Sequence, residues 1–306
     1  MTRAVDLFAG AGGFTEGATQ AGATVVWAAN HWNAAVETHA ANHPGAEHVC
    51  QDLHQADWSR VPAHDLLLAS PSCQGHSRAR GSDQPRHDAA RSTAWAVVSC
   101  AEFHRPAVLV VENVPEFTTA WLLYPAWALA LAALGYTLSP HVLDAADHGV
   151  PQHRRRVIIV GTRTRAPLKL ALEPRAHVAI RGALDFAGPG WSPIATPRRA
   201  PATLARITAG RERFGHRFVM PYYASGSGLT GRSLDRPIGT ITTLARWAVV
   251  DGDRMRMLSI PETKAAMGFP AGYALPPQKR LANQMLGNAV PPPMARDVVA
   301  AIRSAA

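Results

Sequence analysis

The chain has 306 residues, 47% of them hydrophobic, and a formal net charge of +9. That length suits one large domain with a smaller one, and the composition is ordinary for a globular enzyme. No run of 18 uncharged apolar residues occurs, which excludes an apolar membrane-spanning helix, and MTRAVDLFAG reads as a strand entering a turn, not a signal peptide. Three irregularly spaced cysteines, Cys50, Cys73 and Cys100, with no CxxC, argue against a disulfide framework or a structural zinc site and for a reducing cytoplasm. The positive charge suits a polyanionic partner, although Arg dominates the basic residues and an Ala-rich, GC-biased composition accounts for part of it.

In chain order, apolar runs at Ala4–Phe8, Thr24–Ala29, Asp65–Ala69, Ala107–Glu112 and Arg156–Gly161 predict buried strands. Helical patterns fall between them at Gly13–Ala21, Asn33–Asn42, Ser92–His104 and Tyr124–Leu134; the Ala-rich stretch from Ala120 to Leu134 reads as a buried helix. This alternation predicts an α/β fold with a mostly parallel, doubly wound sheet. From about residue 166 Pro, Gly and Arg become frequent and helical periodicity disappears until about 261, which predicts short strands and loops. A helical pattern returns from Leu281 and, after GNAVPPP, continues through Met294–Ser304.

The segment Asp6–Gly17, DLFAGAGGFTEG, places Gly10, Gly12 and Gly13 between the first strand and first helix. Glycines there let the backbone turn tightly and approach a ligand, but the spacing is neither GxGxxG nor a Walker loop. S-adenosylmethionine (SAM), another nucleotide and a plain structural turn stay open on this evidence. Asn30-His31-Trp32 follows the second strand, where Trp32 could cover an adenine face or simply pack. Asp52-Leu53 offers a carboxylate for an adenine amino group or a cap for the next helix. His39, His43 and His48 lie close in sequence, but Pro44 interrupts any helix that would align them as metal ligands.

Cys73 stands one step beyond a Pro turn at the end of DLLLAS, and Glu112 ends the next strand. A thiol and a carboxylate on neighbouring strand ends have a chemical use. A thiolate adding to C6 of cytosine makes C5 nucleophilic, and an acid at ring N3 assists; burial of Glu112 would favour its protonated form. A free thiol ionises near pH 8.5, so neighbouring arginines or a helix N-terminus would favour the thiolate. A stacked base must be flipped out to react, at roughly a few kcal/mol. The polar, basic run from Ser77 reads as a loop closing over DNA, or as a plain surface loop.

These motifs together resemble the DNA (cytosine-5) methyltransferase family nearly end to end. DLFAGAGGF is similar to its SAM-binding motif, SPSCQGHS to the PCQ nucleophile motif, and Glu112-Asn113-Val114 to the motif contacting the target cytosine. Gln152-His-Arg154-Arg-Arg156, the RMLSIPE…MGFP segment at 256–270 and Gly287-Asn288-Ala-Val290-Pro291 match three more in order. The resemblance implies a Rossmann-like SAM-dependent methyltransferase sheet with a small, irregular β-rich target-recognition domain, residues 1–170 plus 276–306 forming the former and 171–275 the latter. It implies Cys73, Glu112, Arg154 and Arg156 as catalytic residues. Phe8, Gly10, Gly12, Gly13, His31, Trp32, Asp52, Leu53 and Asn288 would line the SAM pocket, with S-adenosylhomocysteine as product and no metal. Gln74, Ser77, Arg78, Arg80 and Arg232 would meet DNA, and Arg211, Arg213, Arg217 and residues 225–228 are further candidates for DNA contact.

The implied activity is sequence-specific methylation of cytosine C5 in double-stranded DNA by a monomer of a bacterial or phage-infected cytoplasm, with no membrane partner and room for a companion restriction endonuclease. Two positions depart from the pattern: His31 stands where the family carries an acidic residue, and Ser72 where it carries Pro. Transfer to tRNA, and DNA binding without turnover, are the competing readings; the roughly 100-residue variable region favours DNA over tRNA.

Overall fold

The structure, a computed structural model, describes residues 2–72, 93–222 and 231–305. They form two compact units: one of Met1–Asp144, Arg155–Glu173 and Ala289–Ala306, the other of Ala145–Arg154 and Pro174–Asn288. Residues 145–154 and 276–288, assigned to the larger part from sequence, thus group with the second unit.

The first unit is built on seven strands: β1 Arg3–Leu7, β2 Thr24–Asn30, β3 Glu47–Cys50, β4 Leu66–Ala69, β5 Val108–Asn113, β6 Thr137–Asp144 and β7 Arg155–Thr162. Their order is β3-β2-β1-β4-β5-β7-β6. The first five pair in parallel, and β7 runs antiparallel to both β5 and β6, so the sheet is mixed. The crossovers diverge from β1 and β4, which makes the carboxyl ends of these two strands the switch point where such sheets bind ligands.

The helices are α1 Gly13–Gln20, α2 Asn33–Asn42, α3 Trp95–His104, α4 Glu116–Thr119 and α5 Tyr124–Ala133. On one face, Val97 and Cys100 of α3 and Trp127 and Leu131 of α5 pack on Leu67, Leu109 and Ile159 of the sheet. Trp127 sends its indole N–H to the Ala94 carbonyl (2.9 Å). The stretch read as a buried helix is therefore only half right: α5 is the outer layer, and Leu122 and Leu129 are 89% and 71% exposed.

Strands β3 and β6, not singled out in the sequence, are the sheet's two edges. The β6 sequence holds Pro140, which an edge tolerates because a missing N–H is needed less there.

The second unit carries a four-stranded antiparallel sheet, order β8-β11-β10-β9, from Ser192–Pro193, Arg217–Pro221, Trp247–Asp251 and Arg254–Met257 in chain order. It also carries α6 Pro201–Phe214, α7 Ile260–Ala266 and α8 Lys279–Asn288. Helix α6 corrects the expectation of strands and loops alone. Its buried positions are Thr203, Ile207 and Gly210, so the apolar stripe that signals a helix is nearly absent. Gly210 is small because the Phe218 ring fills the space a Cβ would take, 2.5 Å away.

Buried polar groups hold this unit together in pairs. Arg256 meets Glu262 through two bonds of 2.6 Å, and Glu262 also closes a capping box with Ser259 and accepts from the Asp185 amide. Burial pushes the Glu262 carboxyl up, but the bonds from Arg256, Ser259 and Asp185 outweigh it and hold it below the usual carboxylate range. Gln152 and Arg154 clasp Ile241 from both sides: the Gln152 amide oxygen accepts from its N–H (2.7 Å) and Arg154 donates to its carbonyl (3.0 Å). A second Arg154 nitrogen donates to the Gly287 carbonyl (2.9 Å).

The C-terminal helix, α9 Pro292–Ala305, packs against α1 in the first unit. A Cβ on Gly17 would sit 2.4 Å from the Pro292 carbonyl and 2.5 Å from the Ala295 Cβ. Gly17→Ala gains about 0.5–1 kcal/mol of helix propensity but overpacks at a cost of about 1–3 kcal/mol, so a net loss is expected. Gly45→Ala, with nothing within 4 Å of the new Cβ, should leave the thermal midpoint unchanged. Arg154→Met strands the Ile241 and Gly287 carbonyls and is expected to cost about 2–4 kcal/mol in chemical denaturation.

Candidate active site

Strand β1 ends in a turn that only a few backbone conformations allow. Phe8 has φ +60°, Gly10 +56° and Gly12 +92°. For Phe8 this left-handed conformation costs roughly 1–2 kcal/mol. Gly10 would place a Cβ no nearer than 3.9 Å to any atom, so its positive φ, not crowding, is what calls for glycine. Gly12 caps α1 without a side-chain bond. The positive end of the α1 dipole, with its first amides, therefore faces the switch point, an arrangement that suits an anionic or strongly polar ligand group. The Ala9 amide donates to Ala29 and the Ser70 amide to Leu7, knitting the ends of β2, β1 and β4 together.

The next two strand ends add side chains to this edge. Asn30 accepts from the Trp32 amide (2.9 Å), leaving His31 exposed and Trp32 half-buried. Asp52 accepts from the His54 amide (3.0 Å) and ring (2.9 Å), which, with the nearby His31, hold its carboxyl below the usual range. It is at once a cap for the Leu53–Gln55 turn and an exposed carboxylate beyond the end of β3. Leu53 is buried and belongs to the core.

At the other end of the edge, the Asn113 side chain donates to the Pro71 carbonyl (3.1 Å) and accepts from the Val114 amide (2.9 Å). The chain leaving β4 is thereby held beside the end of β5. Glu112, 6% exposed, pairs with Arg156, whose Nε lies 3.0 Å from Oε1. Burial is thus joined by a guanidinium that the sequence argument about Glu112 did not include. Cys73, Gln74, Ser77, Arg78, Arg80 and residues 225–228 lie outside the described residues.

The residues assigned to the second unit are dispersed within it. Arg154 is buried and donates to the two carbonyls described above. Asn288 ends α8 and is exposed, as is Arg232, whose backbone bridges to Val219. Arg211 and Arg217 are engaged by Asp253 and Asp251 (2.8 and 2.6 Å).

One polar cluster was missed in the sequence. Asp6 in the middle of β1 accepts from the Thr15 hydroxyl (2.7 Å), Thr15 meets His39 Nε2 (3.0 Å), and His39 Nδ1 meets His48 Nε2 (2.8 Å). His43 lies 3.8 Å from Glu16 and bonds the Gly12 carbonyl. The three histidines considered as metal ligands therefore brace the glycine turn, and no group fit to hold a metal exists among the described residues. The available signal was the lone carboxylate inside the apolar run AVDLF.

Comparison with known proteins identifies the family and the fold. The model for C-5 cytosine-specific DNA methylases matches residues 2–183 and 209–304. The chain is 30% identical over 295 residues to the type II methyltransferase M.HgiDI of Herpetosiphon aurantiacus, covering 94% of this chain and 90% of that one. It is 35% identical over 175 residues to the type II methyltransferase M.AgeI of Thalassovita gelatinovora, a match spanning 52% of this chain but only 39% of that protein. The structure of the Entamoeba histolytica methyltransferase EhMeth superposes with a TM-score of 0.72 at 15% identity, over 100% of this chain and 98% of that one, and so shares the fold. With the family match running through both units, the chain belongs to the C-5 cytosine-specific DNA methylase family and is an enzyme of the DNA (cytosine-5)-methyltransferase class.

Proposed function

We propose that the chain methylates C5 of a flipped-out cytosine in double-stranded DNA, with Cys73 as nucleophile and SAM as methyl donor. The observation that carries this reading is the pair of contacts at the catalytic end. Asn113 fixes Pro71, two residues before Cys73, while the adjacent Glu112 is held by Arg156. A carboxylate and the chain leading to the thiol are thus neighbours, as addition across C5–C6 requires.

The residues at the glycine turn fit a nucleoside-type donor. Phe8 and Gly10 in left-handed conformations open the backbone, Trp32 offers a half-exposed ring face, and Asp52 offers an exposed carboxylate. His31 offers a hydroxyl partner without negative charge. When bound, SAM supplies an electrophilic methyl group on a sulfonium. The Cys73 thiolate adds to C6 of the base, and the displaced π-electron pair makes C5 nucleophilic. Glu112, in its protonated form, donates its O–H to ring N3 as negative charge develops there, and Arg156 orients Glu112. After C5 is alkylated, a base removes its proton and the C6–S bond breaks, returning the thiolate.

The net charge of +9 supplies salt-dependent attraction to the phosphate backbone. The second unit carries target recognition, and the type II names of the relatives support a companion restriction endonuclease. No described helix is long and apolar enough to cross a membrane.

Incubation with labelled SAM and mixed-sequence DNA, followed by nucleoside analysis, is expected to yield 5-methylcytosine; methyl on N4 of cytosine or N6 of adenine would refute the mechanism. DNA containing 5-fluorocytosine should trap a denaturation-resistant adduct that Cys73→Ala does not form. Glu112→Gln should lower turnover by about 10²-fold or more, with SAM affinity unchanged in calorimetry.

A further inference from the structure

The buried chain under the glycine turn remains unused by this mechanism. Asp6 is fully buried, its Oδ2 bound by Thr15 and its Oδ1 without a partner. From Thr15 the hydrogen bonds run through His39, itself buried, to His48, which is partly exposed. A carboxyl deep in the sheet is therefore connected to solvent by three consecutive bonds of 2.7–3.0 Å.

Such a chain has two orientations. With Asp6 protonated, its O–H donates to Thr15 Oγ1, Thr15 donates to His39 Nε2, and His39 Nδ1–H donates to His48 Nε2. The other His48 nitrogen then donates to the Ala46 carbonyl, a bond present in the structure. When Asp6 is ionised the three bonds between Asp6 and His48 reverse, with Thr15 donating to Asp6, His39 Nε2–H to Thr15 and His48 Nε2–H to His39 Nδ1, and the His48 bond to the Ala46 carbonyl is given up. The proton lost from Asp6 leaves to solvent from the outer nitrogen of His48. Both imidazoles stay neutral and exchange tautomers, so exactly one proton crosses.

We propose that Asp6 is a specificity-determining residue of the cofactor pocket, charged and discharged through the Thr15–His39–His48 relay, and that its charge favours the cationic sulfonium donor over the neutral thioether product. This rests on the reading of the glycine turn as the SAM site. Asp6 is two residues before Phe8, and its unpartnered oxygen is an anionic acceptor that a nearby cation would compensate.

Few other charges act there. Burial raises the Asp6 carboxyl to about 7, against the lowering by Thr15's hydroxyl and amide. Burial lowers His39 to about 3, and burial likewise lowers His43 and His48, so the relay stays neutral in the same range. Glu16 on α1 is the remaining acid and faces His43. The neighbouring β4 has only apolar side chains, and β2 contributes the uncharged Asn30. On α9, Arg296 pairs with Asp297, and Arg303 bonds the Ala21 carbonyl at the far end of α1.

The sign follows directly. Below about pH 6 Asp6 is protonated and contributes no charge; as pH rises through 7 it ionises and a cation is favoured. Calorimetry on the intact protein should show SAM affinity, relative to S-adenosylhomocysteine, rising severalfold between pH 6 and 8. Asp6→Asn should flatten that ratio, and Thr15→Val, which removes a bond to the ionised carboxylate, should move its midpoint to higher pH. Carboxyl ¹³C NMR of the unliganded wild type provides a check that needs no variant: one Asp should titrate near pH 7. A flat wild-type ratio, an unaltered rise in Asp6→Asn, or no Asp titrating in this range overturns the inference while leaving the SAM site standing. Failure to bind either ligand removes both.

Discussion

Because β7 runs antiparallel to β5, the pairing of Glu112 with Ile158 and of Asn113 with Val157 brings the start of β7 to the edge where β5 ends. Arg156 is the next residue back along β7, and so its guanidinium reaches Glu112. In a wholly parallel sheet the chain would arrive at that edge only at a strand's far end. The register across Leu7, Ala69 and Val111 then aligns the ends of β1, β4 and β5, so the glycine turn, the chain entering Cys73 and the Glu112 carboxylate share one edge.

The polar groups at this edge and in the second unit obey one rule: what is buried and charged is paired. Glu112 has Arg156, Glu262 has Arg256, and Arg154 has two carbonyls. Each pair is costly to break because the surviving partner remains buried. Asp6 is the exception, since a neutral hydroxyl and amide answer one oxygen and nothing answers the other. Its charge state is consequently left to its surroundings, and a linked histidine chain gives the proton a path.

Strands of the sheet interior were legible because they are continuous apolar runs, and the motifs at their ends were legible because backbone turns there demand glycine, proline or a short polar residue. What periodicity could not reveal was α6, whose buried face is Thr203, Ile207 and Gly210, and the edge strands β3 and β6. In each case the side chains facing inward are small, polar or interrupted, because a neighbouring ring or an open edge takes the place of a hydrophobic stripe. The outer helix α5 erred in the opposite direction: its apolar composition suggested burial, but a helix on the outside of a two-layer face covers the sheet with one side only.

The sequence by itself determined the family and the α/β class and named candidates for the residues that carry chemistry, since these follow from local turn chemistry and ordered motifs. Only the tertiary structure decided how those residues are used. It placed Arg154 on the Ile241 and Gly287 carbonyls, moved Leu53 into the core, gave Glu112 its cation and turned three histidines from possible ligands into a brace for the glycine turn. The reason is physical. A motif names a side chain, but its charge, hydration and partners depend on residues that approach from other elements, such as Thr15 and His39 at Asp6, and sequence spacing does not encode that approach.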